Sequence, residues 1–389
     1  MSSASLTVKV LSRVAEIDEA SWDALLSDSS SPFVEHAFLD ALEETGCVGG
    51  STGWLVRHLA VFSSGKLVAA APCYVKLHSM GEFVFDHAFA DVAGRFGVAY
   101  YPKVVIAAPF TPQTGDRLLV APGADSASLR RLLADAARTL ARELDCSSVH
   151  ALFVHDVDAQ ALASAGYAER LGLQFQWFSR GEASFDDHLA RFDSKRRNQI
   201  RRERRALCDE GIVVETRRGA AIDDATLAHA FDCHGRTLDK MGQWGRRYLS
   251  AQFFERLRDR QLRHDDDLLR PRRGKLEIVV AREGSRPIAA AINYAKQGVL
   301  YGRHWGALEE RRFLHFEVAY YHSVAECLAR GFSRFEPGTQ GDDTKGPRGF
   351  DATVVRSAHH FADRRFRAVI VDYLEREAAA IRAEQRRER

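Results

Sequence analysis

The clearest alternation of hydrophobic and polar stretches lies in the second half of the chain. Three apolar runs cover residues 276–281, 288–295 and 299–305, and a short turn sequence containing glycine separates each run from the next. Apolar runs of this length, bounded by glycine turns, are typical of strands joined as hairpins. The pattern therefore predicts three consecutive strands.

A helix and a fourth strand are predicted to follow. Apolar positions recur at helical spacing over residues 314–330, and the segment stops at Gly331, a residue type that commonly ends helices. A short apolar run, residues 332–336, then ends at a Pro-Gly pair. Two strand ends and the start of a helix would converge at one edge of the sheet, where ligands commonly bind.

The first half of the chain shows a similar order of elements. A hairpin pattern at residues 59–76 precedes an amphipathic helix at residues 127–144 and a buried strand at residues 149–154. We therefore predict an α/β (α+β) fold with two domains, residues 1–170 and 171–389. Each domain would be a mixed, largely antiparallel sheet flanked by helices.

Two further segments have distinct patterns. Residues 78–114 contain many aromatic side chains and few helix signals, which predicts a loop-rich region. The spacing over residues 185–209 predicts one long helix, and within it residues 191–205 hold eight basic residues against two acidic ones. This basic helix either binds phosphate groups or only exposes a solvated face.

Composition places the chain among ordinary globular proteins. Of its 389 residues, 46% are hydrophobic and 28% charged, and the formal net charge is +2. The six cysteines form no Cys-x-x-Cys pair, and no basic segment followed by a long apolar run opens the chain. The longest apolar stretch, residues 67–75, is too short to span a membrane. We expect a cytoplasmic protein without a membrane span.

Several longer motifs resemble one protein family, and the resemblance covers nearly the whole chain, from residue 31 to residue 375. The family comprises predicted N-acyltransferases described as peptidoglycan biosynthesis or recognition proteins, a Fem-like branch of the GNAT superfamily. The resemblance implies tandem GNAT-like domains and transfer of an acyl group to an amine, and it leaves donor and acceptor open. The motifs are residues 33–39, 100–103, 109–112, 301–306, 314–317 and 335–338.

The chain departs from the family pattern in one stretch. After residues 335–338 the family continues with alanine, glutamine, glycine, glutamate, histidine and lysine, whereas residues 339–345 here are Thr-Gln-Gly-Asp-Asp-Thr-Lys. No role is therefore carried over for that glutamate and histidine. Residues 308–313 also lack the glycines that hold the pyrophosphate in acetyl-CoA-binding GNATs, although helix N-terminal amides can still hold phosphate.

Acyl transfer to an amine requires a base for the amine proton and stabilisation of the carbonyl oxygen. Glu336 is the first candidate base, because partial burial at a strand end would raise its pKa. His304 and Glu317 are further candidate bases, and Tyr301 is a candidate proton donor to the leaving group. The candidate substrate- or donor-binding residues beside them are Arg303, Trp305, Tyr320, Gln340 and Arg348.

Each candidate also has a structural interpretation. Glu336 would then be a carboxylate paired with Arg303 or Arg348. His304 would be a hydrogen-bonded structural residue, and Glu317 would interact with the helix dipole. Both interpretations stay open at the level of the sequence.

A metal site is a further hypothesis for the predicted helix over residues 314–330. His315 and His322 lie on one face of this helix, with Glu326 beyond them. This spacing matches no standard ligand motif, so we predict no metal.

In the first half, polar residues cluster around the aromatic loop. Lys103 and Arg117 would bind a carboxylate or phosphate, with Asp86, Tyr101 and Thr111 beside them. Alternatively, the loop packs against the second domain and uses these groups for turns.

The sequence therefore predicts an N-acyltransferase without a tightly bound cofactor. Its donor would be acyl-CoA, an acyl carrier protein or aminoacyl-tRNA, the last because Fem-like enzymes use it. Its acceptor would be an amine-bearing small molecule or peptide. The alternative is a non-catalytic GNAT-like module that binds a peptide, glycan or nucleic acid, and a metal-dependent hydrolase is a third hypothesis.

Overall fold

The structure, a computed structural model, describes residues 5–242, 245–264, 267–339 and 342–388. These residues form two compact units. Unit 1 contains the chain up to residue 173 together with residues 354–387, and unit 2 contains residues 174–353. The predicted division into residues 1–170 and 171–389 remains a prediction about domains, and the C-terminal helical segment packs within unit 1.

The secondary-structure elements are listed here in chain order, beginning with the first half. They are β1 (Leu6–Leu11), α1 (Glu19–Asp23), α2 (His36–Glu44), β2 (Trp54–Val56), β3 (His58–Ser63), β4 (Lys66–Ala71), β5 (Cys73–Lys76), α3 (His87–Arg95), β6 (Lys103–Ile106), β7 (Leu119–Val120), α4 (Ser126–Glu143), β8 (Ser148–Ala151), α5 (Asp156–Ser164) and β9 (Ala168–Phe178).

The second half begins with two helices that precede its sheet. Its elements are α6 (Phe185–Leu189), α7 (Ser194–Asp209), β10 (Ile212–Arg218), α8 (Asp224–Lys240), α9 (Ala251–Gln261), β11 (Lys275–Glu283), β12 (Arg286–Lys296), β13 (Val299–Ala307), α10 (Leu314–Phe316), a π-helical turn (Glu317–Tyr321), α11 (His322–Ala329), β14 (Arg334–Glu336), α12 (Asp342–Lys345), β15 (Asp351–Phe361) and α13 (Arg364–Arg387).

Unit 1 contains two sheets. One has the strand order β1-β3-β4-β7, and in the other the order β15-β8-β6-β5-β2 places β6 and β8 side by side as parallel neighbours. Helix α4 connects these two parallel strands. Its apolar positions Leu129, Leu133, Ala137 and Leu140 share one face and pack in the core with residues of β6 and β8.

Unit 2 repeats this arrangement. Strands β10, β11, β12 and β13 pair antiparallel in sequence order, β14 then pairs parallel with β13, and β9 lies beyond β14. The continuous helix of α10, the π-helical turn and α11 connects β13 to β14. Its residues Leu314 and Val318 pack against core residues of β11 and β12, including Val279 and Ala291.

The predicted fold class is confirmed, since both units consist of largely antiparallel sheets flanked by helices, and each unit contains a pair of parallel neighbours. Among the residues described, no helix combines the length and the apolar character needed to cross a membrane. The region predicted to be loop-rich, residues 78–114, contains α3 and β6 between its loops. One local prediction was wrong. The segment 185–209 is two helices, because the Asp193 side chain accepts a hydrogen bond from the Arg196 amide and starts a new helix there.

Candidate active site

The hydrogen-bonded pairing of the parallel strands β13 and β14 ends partway along β13. Their pairing begins with Val299 and Arg334 and ends with Tyr301 opposite Glu336. Beyond Tyr301, β13 continues to Ala307, whereas the chain leaves β14 after Glu336. We call the place where this pairing ends, at which the predicted catalytic residues Tyr301 and Glu336 lie, the β13–β14 opening, since ligands of α/β sheets commonly bind at such places.

A β-bulge changes the direction of β13 inside this opening. Gly302 lies opposite Asn293 and His304 lies opposite Ile292, so Arg303 is the extra residue of the bulge. Bulges recur beside active sites because they redirect a side chain. Burial, which outweighs the effect of the Tyr294 phenol, lowers the pKa of the bulged arginine to about 10.

Two glycines let the segment after β14 pass close to β13. A Cβ atom at Gly302 would lie 3.2 Å from Pro337 Cα and 3.2 Å from Phe335 Cε2. Gly338 has a φ of +90°, a backbone conformation that residues other than glycine rarely adopt. The backbone after Glu336 therefore stays against the strand that carries Tyr301.

Glu336, the first candidate base, is only 3% exposed. The Arg334 Nε atom lies 3.2 Å from Glu336 Oε1. Although burial acts in the opposite direction, the Glu336 carboxylate and the Tyr301 hydroxyl raise the pKa of Arg334. The structure thus brings Tyr301, Arg334 and Glu336 together.

His304 lies further along β13, where helix α8 packs on the strand. Its ring centroid is 4.3 Å from that of His234 and 5.9 Å from that of Phe254. Burial, and then the neighbouring charges of His234 and Arg303, lower the pKa of His304 well below its usual range. The ring is therefore neutral at pH 7.

Aromatic side chains cover the adjoining part of unit 2. Trp305 stacks on His315, with centroids 4.5 Å apart and an angle of 29° between the rings. His315 and Tyr320 are 5.1 Å apart, and Tyr320 and Phe350 are 5.4 Å apart. Two predicted binding residues, Trp305 and Tyr320, therefore belong to one aromatic cluster.

Arg348, another predicted binding residue, is held by several contacts. Its guanidinium lies 3.4 Å from the Phe316 ring centroid, and Nη1 donates to the Thr344 carbonyl at 2.8 Å. Its Nη2 is 3.4 Å from Glu203 Oε2, which also accepts from the Tyr321 hydroxyl at 2.5 Å. Arg348 thus joins α7, the π-helical turn and the segment before β15.

Glu317, a predicted catalytic residue, begins the π-helical turn. Arg204 of α7 donates to both of its oxygens, from Nη2 to Oε1 at 2.8 Å and from Nε to Oε2 at 2.9 Å. The same guanidinium lies over the Phe185 ring. This two-pronged ion pair fixes the carboxylate and joins α7 to the helix that precedes β14.

The hypothetical metal ligands of this helix have other partners. His322 Nε2 is 2.8 Å from Thr216 Oγ1, and Glu326 forms an ion pair with Arg218. His315 stacks on Trp305 as described. Within the described residues, no three or more side chains of His, Cys, Asp or Glu gather as a metal site would require.

In unit 1, three of the five predicted binding residues lie together. The buried Lys103 Nζ contacts Asp86 and donates to Glu82 Oε2 and to Ser79 Oγ, each at 2.8 Å. The Tyr101 hydroxyl is 2.8 Å from Ser79 Oγ. Burial raises the pKa of Glu82 even though Lys103 opposes it.

The other two predicted residues of unit 1 make backbone contacts elsewhere. Arg117 is fully buried, and it donates to the Leu152 carbonyl at 3.0 Å and to the Gln113 carbonyl at 2.8 Å. Thr111 donates to the Pro109 carbonyl at 2.9 Å. The contacts with Gln113 and Pro109 are local, whereas the contact with Leu152 joins Arg117 to the chain directly after β8.

The basic segment lies mostly on α7. Ile200 and Leu207 are buried, as the pattern predicted, while Lys195, Arg202 and Arg205 are exposed. Gln340, a predicted binding residue, lies outside the described residues.

The sequence pattern did not single out His234, Arg334 or Glu203. Each lies next to a predicted residue only in the folded chain, and none belongs to a motif that its spacing would reveal. Arg334 had the nearest signal, because it precedes Glu336 by two positions and thus shares its face of the strand.

Two mixed α/β units, each with parallel strands joined by a helix, make up the tandem GNAT-like fold. The chain belongs to the FemAB-like family, described as peptidoglycan biosynthesis/recognition, which it matches over residues 13–389. No curated protein matches the sequence.

Solved structures share this fold at low sequence identity. FemX is 14% identical, the match covers 91% of this chain and 98% of FemX, and the TM-score is 0.52. The C-terminal domain of a putative lysylphosphatidylglycerol synthetase from Agrobacterium fabrum is 12% identical, with coverage of 93% and 97% and a TM-score of 0.54. A tandem GNAT protein from the clavulanic acid biosynthesis pathway is 14% identical, with coverage of 92% and 99% and a TM-score of 0.46.

Proposed function

We propose that the chain is an N-acyltransferase that moves an acyl or aminoacyl group from an activated donor to an amine. The reaction site would be the opening between β13 and β14. The cluster of Tyr301, Arg334 and Glu336 at the ends of these parallel strands carries the proposal. It supplies a buried carboxylate, a cation paired with it and a phenol within one small region.

The chemistry requires bond formation, bond cleavage and transfer of a proton. The amine nitrogen attacks the donor carbonyl carbon, and the bond from that carbon to the donor's sulfur or oxygen breaks. Glu336 takes one proton from the amine. Tyr301 gives its proton to the leaving atom and regains one from Glu336 through solvent, so the products are an amide and the protonated leaving group.

The other predicted residues have supporting roles in this proposal. The bulge that carries Arg303 and the aromatic pair of Trp305 and Tyr320 would hold the acyl group and its donor. Arg348 would fix the segment beside them. Because Arg204 occupies both oxygens of Glu317, we assign that carboxylate to holding the helix rather than to proton transfer.

The donor would carry phosphate. The exposed basic residues Lys195, Arg202 and Arg205 of α7 suit the phosphates of acyl-CoA, of a carrier protein's prosthetic arm or of aminoacyl-tRNA. The acceptor would be an amine-bearing small molecule or peptide, and the reaction needs no resident cofactor. A cytoplasmic location would give access to all three donors.

Mass spectrometry of the purified chain with a panel of amines and these three donor types tests the function. We expect an amide product from one combination and a large loss of product with Glu336→Gln, whose amide cannot accept the proton. Glu309→Gln, which alters an exposed carboxylate paired with Arg286, is the matched control and should retain activity. Ligand binding without turnover in the parent chain would instead favour the non-catalytic module.

A further inference from the structure

Two histidines beside the opening have ring nitrogens that the rest of the described chain does not satisfy. His234 of α8 and His304 of β13 are in contact, with ring centroids 4.3 Å apart. His234 Nδ1 and His304 Nε2 are both buried and have no hydrogen-bond partner among the described residues. Leaving a buried polar atom unpaired is unfavourable, so two adjacent ones indicate a place for a missing partner.

The contact between the rings follows from the backbone packing. Gly306 lies on the same face of β13 as His304, two residues away. A Cβ atom at Gly306 would lie 1.8 Å from the Cys233 carbonyl oxygen, so the backbone of α8 touches the strand there. The next residue of the helix, His234, is thereby held against His304.

The protonation of the rings can be derived from their surroundings. Burial, and then the charges of Arg303 and Arg247, lower the pKa of His234 to about 4, while a hydrogen bond to the Trp305 backbone raises it. We assign the N–H of the His234 ring to this contact with the Trp305 backbone. Because Nδ1 has no partner among the described residues, the donor is Nε2, and Nδ1 carries a lone pair.

We propose that His234 Nδ1 and His304 Nε2 accept the two N–H groups of a primary amine and hold it, as the free base, for attack on the donor carbonyl. This inference rests on the proposed acyltransferase function. Both rings are neutral at pH 7, so each offers one acceptor nitrogen, and the proposal assigns the N–H of His304 to Nδ1. The positive charges of Arg303 and Arg247 nearby disfavour an ammonium ion in the same place.

Two acceptor nitrogens predict a preference among substrates. A primary amine satisfies both rings, an N-methyl amine satisfies one, and a tertiary amine satisfies neither. The parent chain should therefore use a primary amine about 10- to 100-fold better, in kcat/KM, than its N-methyl analogue, which corresponds to the loss of one hydrogen bond to a buried acceptor.

Substitutions at His234 separate a chemical role from a structural one. In His234→Gln the side-chain amide N–H₂ replaces the Nε2–H donor to Trp305, but the acceptor Nδ1 is lost. In His234→Asn the side-chain oxygen takes the place of the acceptor Nδ1. We expect His234→Gln to lower kcat/KM for the primary amine about 10- to 100-fold and to abolish the preference over the N-methyl analogue. His234→Asn should retain more activity, and His229→Gln on the same helix is the control.

Binding can be measured without turnover. In the chain labelled with ¹⁵N-histidine, n-propylamine should shift the His234 Nδ1 and His304 Nε2 signals, and trimethylamine, which has no N–H, should not. Amine binding without acyl transfer to any amine would refute the proposed transferase function but would support the amine site. Transfer by His234→Gln equal to that of the parent, or shifts that trimethylamine reproduces, would overturn the amine site.

Discussion

Arg204 of α7 donates hydrogen bonds to both oxygens of the Glu317 carboxylate, although the two residues are far apart in the sequence. We expect Glu317→Gln to lower the free energy of unfolding by about 1–3 kcal/mol, because a hydrogen-bonded charge pair is lost and a partly buried guanidinium keeps its charge. Urea unfolding measures the change. Arg201→Gln, which removes an exposed pair with Asp186, should change stability by less than about 1 kcal/mol. Equal effects of the two substitutions would contradict the assignment.

Removal of Lys103 should destabilise unit 1 strongly. Its ammonium is the partner of two buried carboxylates, Glu82 and Asp86. Lys103→Met would leave both acids buried without that cation, and we expect a loss of about 3–5 kcal/mol in the free energy of unfolding. Arg131→Gln, which breaks an exposed pair with Asp135 on α4, is the matched control and should cost less than about 0.5 kcal/mol. A Lys103→Met variant that unfolds at the parent's urea midpoint would show that the cluster is not an ion-pair network.

Gly306 should not tolerate a side chain. In Gly306→Ala the new methyl group would meet the Cys233 carbonyl oxygen, so α8 must move away from β13. We expect the melting temperature to fall and the stability loss to reach about 3 kcal/mol. In Gly94→Ala the new methyl group has no neighbour within 4 Å, and Gly94 lies in α3. That control should be neutral or slightly stabilising, since alanine favours helices.

A buried histidine pair in unit 1 should make the protein less stable in acid. The Nδ1 atoms of His150 and His359 lie 2.6 Å apart, and burial lowers the pKa of His359 to about 3 and that of His150 well below its usual range. A histidine of the unfolded chain titrates near pH 6.5. Between about pH 6.5 and pH 3 the unfolded state therefore binds more protons than the folded state. As the pH is lowered through this range, the free energy of unfolding decreases by up to about 1.4 kcal/mol per pH unit for each ring.

Urea unfolding at several pH values from about 7.5 to about 5 tests this dependence. The stability contributed by the pair should be complete above about pH 6.5 and should decline below it. A double variant with His150→Gln and His359→Gln should show a shallower decline, because its amides do not titrate. The same slope in parent and double variant would exclude the pair as the cause.

The sequence predicted those parts of the fold that depend on local pattern. The three strands at residues 276–305 stand out because glycine turns separate continuous apolar runs, and β11, β12 and β13 extend each run by only a few residues. The break between α6 and α7 was missed although Asp193 is a residue type that starts helices. The residues on both sides of Asp193 have helical periodicity, so the pattern predicted one continuous helix. Strand β15 was not predicted, because its polar and charged residues weaken the alternation.

The candidate site was predictable only where its residues share one strand or lie at strand ends. Tyr301 and Glu336 were placed together because parallel strands bring equivalent ends to one edge. The partners Arg334, Arg204 and His234 depend on side-chain direction and on helix packing. These are set by tertiary contacts that a single sequence does not encode in its spacing.

The contact between Gly306 and the Cys233 carbonyl has a mechanical consequence. No side chain separates the helix from the strand at this point. A displacement of α8 is therefore transmitted directly to β13. Because β13 carries Arg303 and His304, the direction of their side chains depends on the position of α8.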